Sequence, residues 1–365
     1  MWSDRRLLDL FGIEHPILQA PMGSYTRAGL AAAVSEAGGL GGIGTAGWTR
    51  ALARTEVLKA RQVTNKPLNL NFFTHTVGAF DPAADAAWRA ALAGYYREQG
   101  LTWQPTTSAS HQPFDADGCE LIEELKPQVV SFHIGLPDAA LIARIKRSGA
   151  KIISSATTTE EACWLEAHGA DAIIAQGADA GGHRGVFLDG DPVAALPRQI
   201  GTMALVPLVV DAVRVPVIAA GGIGDARGIA AALMLGASGV QMGTAFLHCP
   251  EAPTDPVHRA ALTSSPSDGT VVTNIWTGRP ARTVVNRAIR ELGAISAAAP
   301  PFPYAANGMR PLRAGSEATG SADFAPLYAG QAARLGRELP AGELVRTLAA
   351  EALDRLGRTS NPKLS

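Results

Sequence analysis

Eight short apolar runs, none with polar alternation, constrain this chain more than any other feature. They are Pro16–Met22, Leu40–Gly44, Pro67–Phe73, Val129–Gly135, Lys151–Ser155, Ala172–Gln176, Pro216–Ala220 and Gly239–Thr244. A strand wetted on one face alternates; a run that does not alternate is buried on both faces, as in a parallel sheet covered by helices. Helix-like segments fall between most of the runs, at Arg27–Ala37, Asp138–Ser148, Glu160–His168, Ala204–Val213 and Ala226–Leu235. One local unit recurs: a helix-like segment ends in Gly (Gly38, Gly149, Gly169, Gly236) and an apolar run follows. Glycine there supplies the left-handed residue that stops a helix. Strands alternating with helices predict an α/β fold. A count of eight favours a closed (β/α)8 TIM barrel over an open doubly wound sheet.

The length of 365 residues fits one barrel plus an insertion, and on length alone two equal domains. Two connections are too long for simple βα loops. The first, from Thr74 to about Gly118, carries a helix-like stretch Pro82–Gln99, holding Tyr95 and Tyr96, and leaves the rim where barrel active sites lie. The second follows strand eight and is expected to be a small, mainly helical insertion over the barrel mouth. The expected division is 1–248 plus 321–357 for the barrel, 249–320 for the insertion and 358–365 for a frayed tail. Ala322–Glu338 is expected to return as the eighth barrel helix, with Glu343–Leu356 as a further amphipathic helix showing Leu344, Leu348, Ala349 and Leu356 on its apolar face.

Lys and Arg total 32 against 33 Asp and Glu, a net charge of −1, which gives no electrostatic case for nucleic acid or a membrane surface. No run is long and apolar enough to span a bilayer, and Met1–Phe11 lacks the apolar core of a signal peptide. Cys119, Cys163 and Cys249 lie far apart, without metal-ligand spacing. The default is a cytoplasmic protein, monomer or homodimer, with no metal.

The ends of the apolar runs are rich in Gly and small polar residues. Gly221-Gly222-Ile223-Gly224 and Gln241-Met242-Gly243-Thr244 follow strands seven and eight, where barrels commonly bind phosphate through backbone N–H groups. The bland alternative is that these glycines only permit tight turns. After strand six comes Gln176-Gly177-Ala178-Asp179-Ala180-Gly181-Gly182-His183-Arg184-Gly185. A histidine set between glycine pairs on that rim can hold or take a proton near neutral pH, which makes His183 the catalytic candidate. Arg184 could meet an anion or point to solvent. Asn71 and Gln176 are amides ending apolar strands, and a polar ligand would relieve their burial. His75 and His111 in the long connection read as solvated by default, and His133 as a core residue or a ligand contact. No Walker A, nucleophile elbow or zinc signature occurs.

Taken in order, Gln19-Ala20-Pro21-Met22, Asn69-Leu70-Asn71-Phe72, Gly181-Gly182-His183-Arg184-Gly185, Ala219-Ala220-Gly221-Gly222-Ile223, Gly239-Val240-Gln241-Met242-Gly243-Thr244 and Thr277-Gly278-Arg279-Pro280-Ala281-Arg282 resemble the nitronate monooxygenases, formerly called 2-nitropropane dioxygenases. The resemblance runs from about Phe11 to Ala333. It implies one non-covalent FMN, its phosphate and ribityl chain held by Gly181, Gly221, Gly222, Gln241, Met242, Gly243 and Thr244. Met22, Asn71 and Gln176 would lie along the isoalloxazine, with Ala20 also among the cofactor-binding residues. It implies His183 as base toward a nitroalkane or as the group orienting an anionic nitronate. O2 would complete oxidation to a carbonyl compound and nitrite. Tyr304, Arg310, His75 and His133 are the candidate substrate residues. The chain departs from the family around Phe302–Arg310, where only Tyr304 remains of a Tyr-rich segment and Arg310 stands for a lysine, and near Ala109, where an aromatic is expected. Two other readings stay open: an FMN-dependent NAD(P)H reductase of the enoyl-acyl-carrier-protein or quinone type, and a non-catalytic flavin-binding barrel.

Overall fold

The computed structural model describes residues 1–264, 266 and 269–360. Eight parallel strands form the barrel: Ile17–Gln19, Gly41–Gly44, Leu68–Phe73, Val129–His133, Lys151–Ala156, Ala172–Gln176, Val217–Ala220 and Gly239–Met242. Each pairs with its neighbour in sequence order, and Ile17–Gln19 also pairs with Val240–Met242. A bridge between Leu18 and Leu40 closes the ring. The first strand is shorter than expected, because Ala20–Met22 leaves the ladder at the rim.

The glycines of Gly41-Gly42-Ile43-Gly44 are a packing requirement. A Cβ on Gly41 would lie 1.9 Å from the Ala31 carbonyl oxygen, and one on Gly42 would lie 2.8 Å from that of Gln19. The helix Ala28–Glu36 therefore rests directly on the strand backbone. Helices at Arg50–Val63 and Ala116–Leu125, begun by Thr49 and Asp115 as side-chain caps, fill the gaps before the third and fourth strands.

The last barrel helix is not where the sequence placed it. Residues 322–338 hold no α-helix, only a 3-10 turn, Ala333–Leu335, and an antiparallel bridge from Tyr328 to Thr283. Pro326, Gly330 and Gly336 interrupt any helix there. The covering helix is Ala341–Ser360. Its Leu344, Val345, Leu348 and Ala349 share one buried cluster with Leu30, Val34 and Ile229 of the helices on either side. The helix also runs past Leu356 through the first residues of the expected tail; residues 361–365 lie outside the described part.

The segment between the eighth strand and this helix holds helices Pro256–Ser264, Arg287–Leu292 and Ala305–Ala318. It also holds an antiparallel hairpin, Thr270–Thr273 with Ala281–Val284, that the expectation of a mainly helical insertion did not include. Gly182–His183 adds to the hairpin as a third strand, with His183 opposite Ala281. The long third connection packs its helix Pro82–Glu98 against Ala305–Ala318. Trp88 Nε1 donates to the Ala305 carbonyl (3.1 Å) and Tyr96 Oη to that of Gly308 (2.8 Å). The two segments together roof the C-terminal rim.

Substituting Gly41→Ala is expected to cost about 1–3 kcal/mol, the usual penalty for overpacking. Equilibrium denaturation against the wild-type protein tests it; an unchanged midpoint would show that the helix can lift off the strand.

Candidate functional site

A cavity of about 460 Å3 lies under this roof, within the range usual for small-molecule sites. Ala20, Met22, Asn71, Gln176, Gly181, Gly221, Gly222, Gln241, Gly243, Thr244, His133, His183 and Arg310 all line it. Three other candidates do not. Met242 is buried in the core, because alternation along its strand turns it away from the cavity. His75 is buried beside Phe302 (4.7 Å between centroids), and its ring nitrogens have no hydrogen-bond partner of normal geometry. Tyr304 is buried, and its hydroxyl donates to the Gly78 carbonyl (2.9 Å), so it joins the two halves of the roof.

Three backbone contacts set the His183 loop. Strand pairing holds Gly182 and His183 to Arg282 and Ala281. The His183 carbonyl accepts from Gln176 Nε2 and from His133 Nε2, both at 3.0 Å. The Gly185 amide donates to Gln176 Oε1 (2.8 Å). One donor and one acceptor site of the Gln176 amide thus hold this loop, and the side chain also lines the cavity. Arg184 meets neither an anion nor solvent. It is fully buried and donates to the carbonyls of Gly177 (2.8 Å) and Gln176 (3.0 Å) and to Gln199 Oε1 (2.7 Å). Burial pulls its pKa down to about 9, aided by the nearby Arg282.

His183 presents its ring between Phe73, Phe302 and Tyr328, with centroids 5.8, 5.9 and 5.5 Å away. Its Nε2 lies 2.9 Å from Thr277 Oγ1. Thr277 sits on the turn Thr277-Gly278-Arg279, where Gly278 takes φ +91° and a Cβ would strike the Pro300 carbonyl at 2.2 Å. Burial first, then the repulsion a protonated His183 would meet from His111, His133, Arg279 and His75, pushes the His183 pKa well below its usual value. His133 follows the same logic, down to about 4, with burial first among the causes. Its Nε2–H must donate to the His183 carbonyl, so Nδ1 accepts from Ser155 Oγ (3.0 Å).

The opposite wall is bare backbone. Gly221 and Gly222 take φ +122° and +65°, and neither amide donates to a carbonyl among the described residues. A Cβ on Gly221 would lie 2.7 Å from Thr202 Oγ1, and one on Gly181 would lie 2.5 Å from the Gly330 amide. Gln241 Oε1 is buried without a partner. Asn71 is half satisfied, donating to Ser131 O (3.1 Å) and Oγ (3.0 Å). Free amides, a buried lone acceptor and a neutral imidazole suit a phosphate-bearing cofactor beside a small reactant. Sequence reasoning missed Thr277, Phe73 and Tyr328 as neighbours of His183. Only the Thr277-Gly278-Arg279 turn left a signal, through its glycine.

Stability should fall as pH drops from about 6.5 toward 4. His75, His111, His133 and His258 have folded-state values pushed down to about 4, burial being the first cause for each. Between those values and the unfolded value the native state binds fewer protons, so acid favours unfolding. Melting temperatures from pH 7.5 to 5, above most carboxylate titrations, test this; a flat profile would mean these rings gain protons without cost.

No helix among the described residues is long and apolar enough to cross a membrane. The family model for nitronate monooxygenase matches residues 4–351. A nitronate monooxygenase from Paraburkholderia phytofirmans is 44% identical over 352 residues, covering 95% of this chain and 94% of the relative. One from Pseudomonas aeruginosa is 42% identical over 349 residues, covering 95% and 98%. The solved nitroalkane oxidase from Streptomyces ansochromogenes superposes with TM-score 0.88 at 39% identity, covering 97% of this chain and 99% of its own. FabK from Thermotoga maritima superposes with TM-score 0.73 at 31% identity, covering 97% and 98%. By family model, sequence and fold alike, the chain belongs to the nitronate monooxygenase family and is an oxidoreductase.

Proposed function

We propose that this enzyme uses FMN to oxidise alkyl nitronates with O2, giving a carbonyl compound and nitrite. The observation that carries the reading is His183, a neutral imidazole held at Nε2 by Thr277 across the cavity from the glycine cradle. FMN, when bound, supplies the electron acceptor. The amides of Gly221 and Gly222, with Gly181, Gly243 and Thr244, would hold its phosphate, and Met22, Asn71 and Gln241 would face its ring. The unpartnered Gln241 Oε1 asks for an N–H donor, which fits such a ring.

Thr277 Oγ1 accepts from the Arg279 amide (3.4 Å) and can at the same time give its own proton to His183 Nε2. The imidazole then carries its own proton on Nδ1 and can donate it to a nitronate oxygen. A base whose pKa lies well below 6.5 has little driving force to remove a carbon-bound proton. An already ionised nitronate is therefore the better substrate, and a neutral nitroalkane the poorer one. Arg310 and Arg313, the latter paired with Glu317, are the charged side chains on the wall among the described residues, and both favour an anion.

A second reading is reduction by NAD(P)H, and the structural likeness to FabK keeps a non-oxidase neighbour in view. Anaerobic stopped-flow of the flavin-loaded protein separates the two. A nitronate should bleach the flavin and NAD(P)H should not; the reverse result would overturn the nitronate reading. His183→Asn is expected to keep the flavin and lose about a hundred-fold in turnover, in line with loss of one positioned proton-bearing group. Unchanged turnover would remove His183 from the chemistry.

A further inference from the structure

Strand register sets a second residue beside His183. The strand Ala281–Val284 pairs with Thr270–Thr273 along one edge and offers its other edge to two separate segments. His183 lies opposite Ala281, and Tyr328 lies opposite Thr283 through an antiparallel bridge. The Arg184 amide donates to the Pro280 carbonyl (2.8 Å) and the Val284 amide to that of Leu327 (2.9 Å), so the two segments follow one another along that edge. Residues two apart on a strand share a face, and so do the residues directly across from them. His183 and Tyr328 therefore stand on one face, with ring centroids 5.5 Å apart, and both line the cavity.

The Tyr328 backbone is pinned. Its carbonyl accepts from His258 Nε2 (3.1 Å), and its amide donates to the Pro326 carbonyl (2.8 Å). Its hydroxyl has no hydrogen-bond partner among the described residues. Of the three rings that border His183, those of Phe73, Phe302 and Tyr328, only this one carries a polar atom. Burial first, then Tyr25, pushes the Tyr328 pKa up against the pull of Arg313, so the phenol keeps its proton.

We propose that Tyr328 Oη–H is a second hydrogen-bond donor to the nitronate group, forming with His183 Nδ1–H a two-donor seat for its two oxygens. The proposal rests on the nitronate reading above. A nitronate shares one negative charge between two oxygens. With Nε2 engaged by Thr277, the His183 ring has one donor left, which serves one oxygen. The other would face the Phe73 and Phe302 rings without a partner, and an unpaired charged oxygen in apolar surroundings is costly. Tyr328 binds and orients the anion and moves no proton. Its contribution therefore falls on KM more than on kcat.

The test is Tyr328→Phe in the flavin-loaded enzyme, which keeps the ring and removes a hydroxyl that holds no other residue. KM for the nitronate of 1-nitrobutane should rise about ten-fold or more, as for a lost hydrogen bond to a charged group, with kcat little changed. Nitrate, a planar oxyanion that the flavin does not oxidise, probes the seat without turnover. Its Kd, read from the shift it causes in the flavin absorbance, should weaken by a similar factor. The Kd of FMN itself should stay as in the wild type; a matching loss there would mark the hydroxyl as a cofactor contact and overturn the proposal. Unchanged KM and nitrate Kd, or a loss confined to kcat, also overturns the role of Tyr328 and leaves the nitronate reading standing. Failure of the wild-type enzyme to turn over the nitronate overturns that reading, and this inference with it.

Discussion

The buried Arg184 guanidinium is the interaction on which the site depends. It binds the carbonyls of Gln176 and Gly177, where the sixth strand ends. Its own amide donates to the Pro280 carbonyl (2.8 Å), and its carbonyl accepts from Arg279 Nε (3.1 Å). One residue therefore joins the barrel rim, the His183 loop and the hairpin of the insertion. Removing a cation from water is costly, and here neutral carbonyl oxygens and the Gln199 side chain, rather than a carboxylate, compensate it. A lysine has too few donors in a fixed fork to make the same connections. His183 owes its position to this pin and to Thr277, and its charge state to the lack of water around it.

Much of the fold was legible because buried parallel strands write an unmistakable pattern. Runs such as Ala172–Gln176 and Val217–Ala220 have no wet face, and Gly169 before the first of them marks a helix end. The final helix was misplaced for an equally physical reason. Residues 322–338 have a helix-like apolar content, but Pro326, Gly330 and Gly336 prevent the helix. The Thr270–Thr273 and Ala281–Val284 hairpin was missed because its strands are four residues each, and its third strand is two residues from a distant loop. Pairing of that kind leaves no local trace.

The site shows the same division. Gly181, Gly221 and Gly222 could be read because a cavity lined by backbone needs glycine. Arg184 could not, since a charged residue beside a catalytic histidine reads as a ligand until its burial is known. The role of Gln176 also depends on a carbonyl seven residues later, which no spacing rule supplies. His111, His133 and His183 lie 36 to 108 residues from His75, yet all four rings border Phe73. Gathered around one ring, His111, His133 and His75 each raise the cost of protonating His183.

The closing of the barrel also sets a timetable. The helix Ala28–Glu36 turns Leu30 and Val34 toward a cluster completed by Leu344, Val345 and Leu348. A ribosome adding roughly 5–20 residues per second needs roughly 15–60 seconds to reach that final helix after making the first. Through that interval the early apolar surface has no native cover, and the loop bearing His183 waits for the hairpin strand Ala281–Val284 before it can take its place. The nascent chain thus carries part of its apolar surface uncovered and its site unfinished until its last helix emerges.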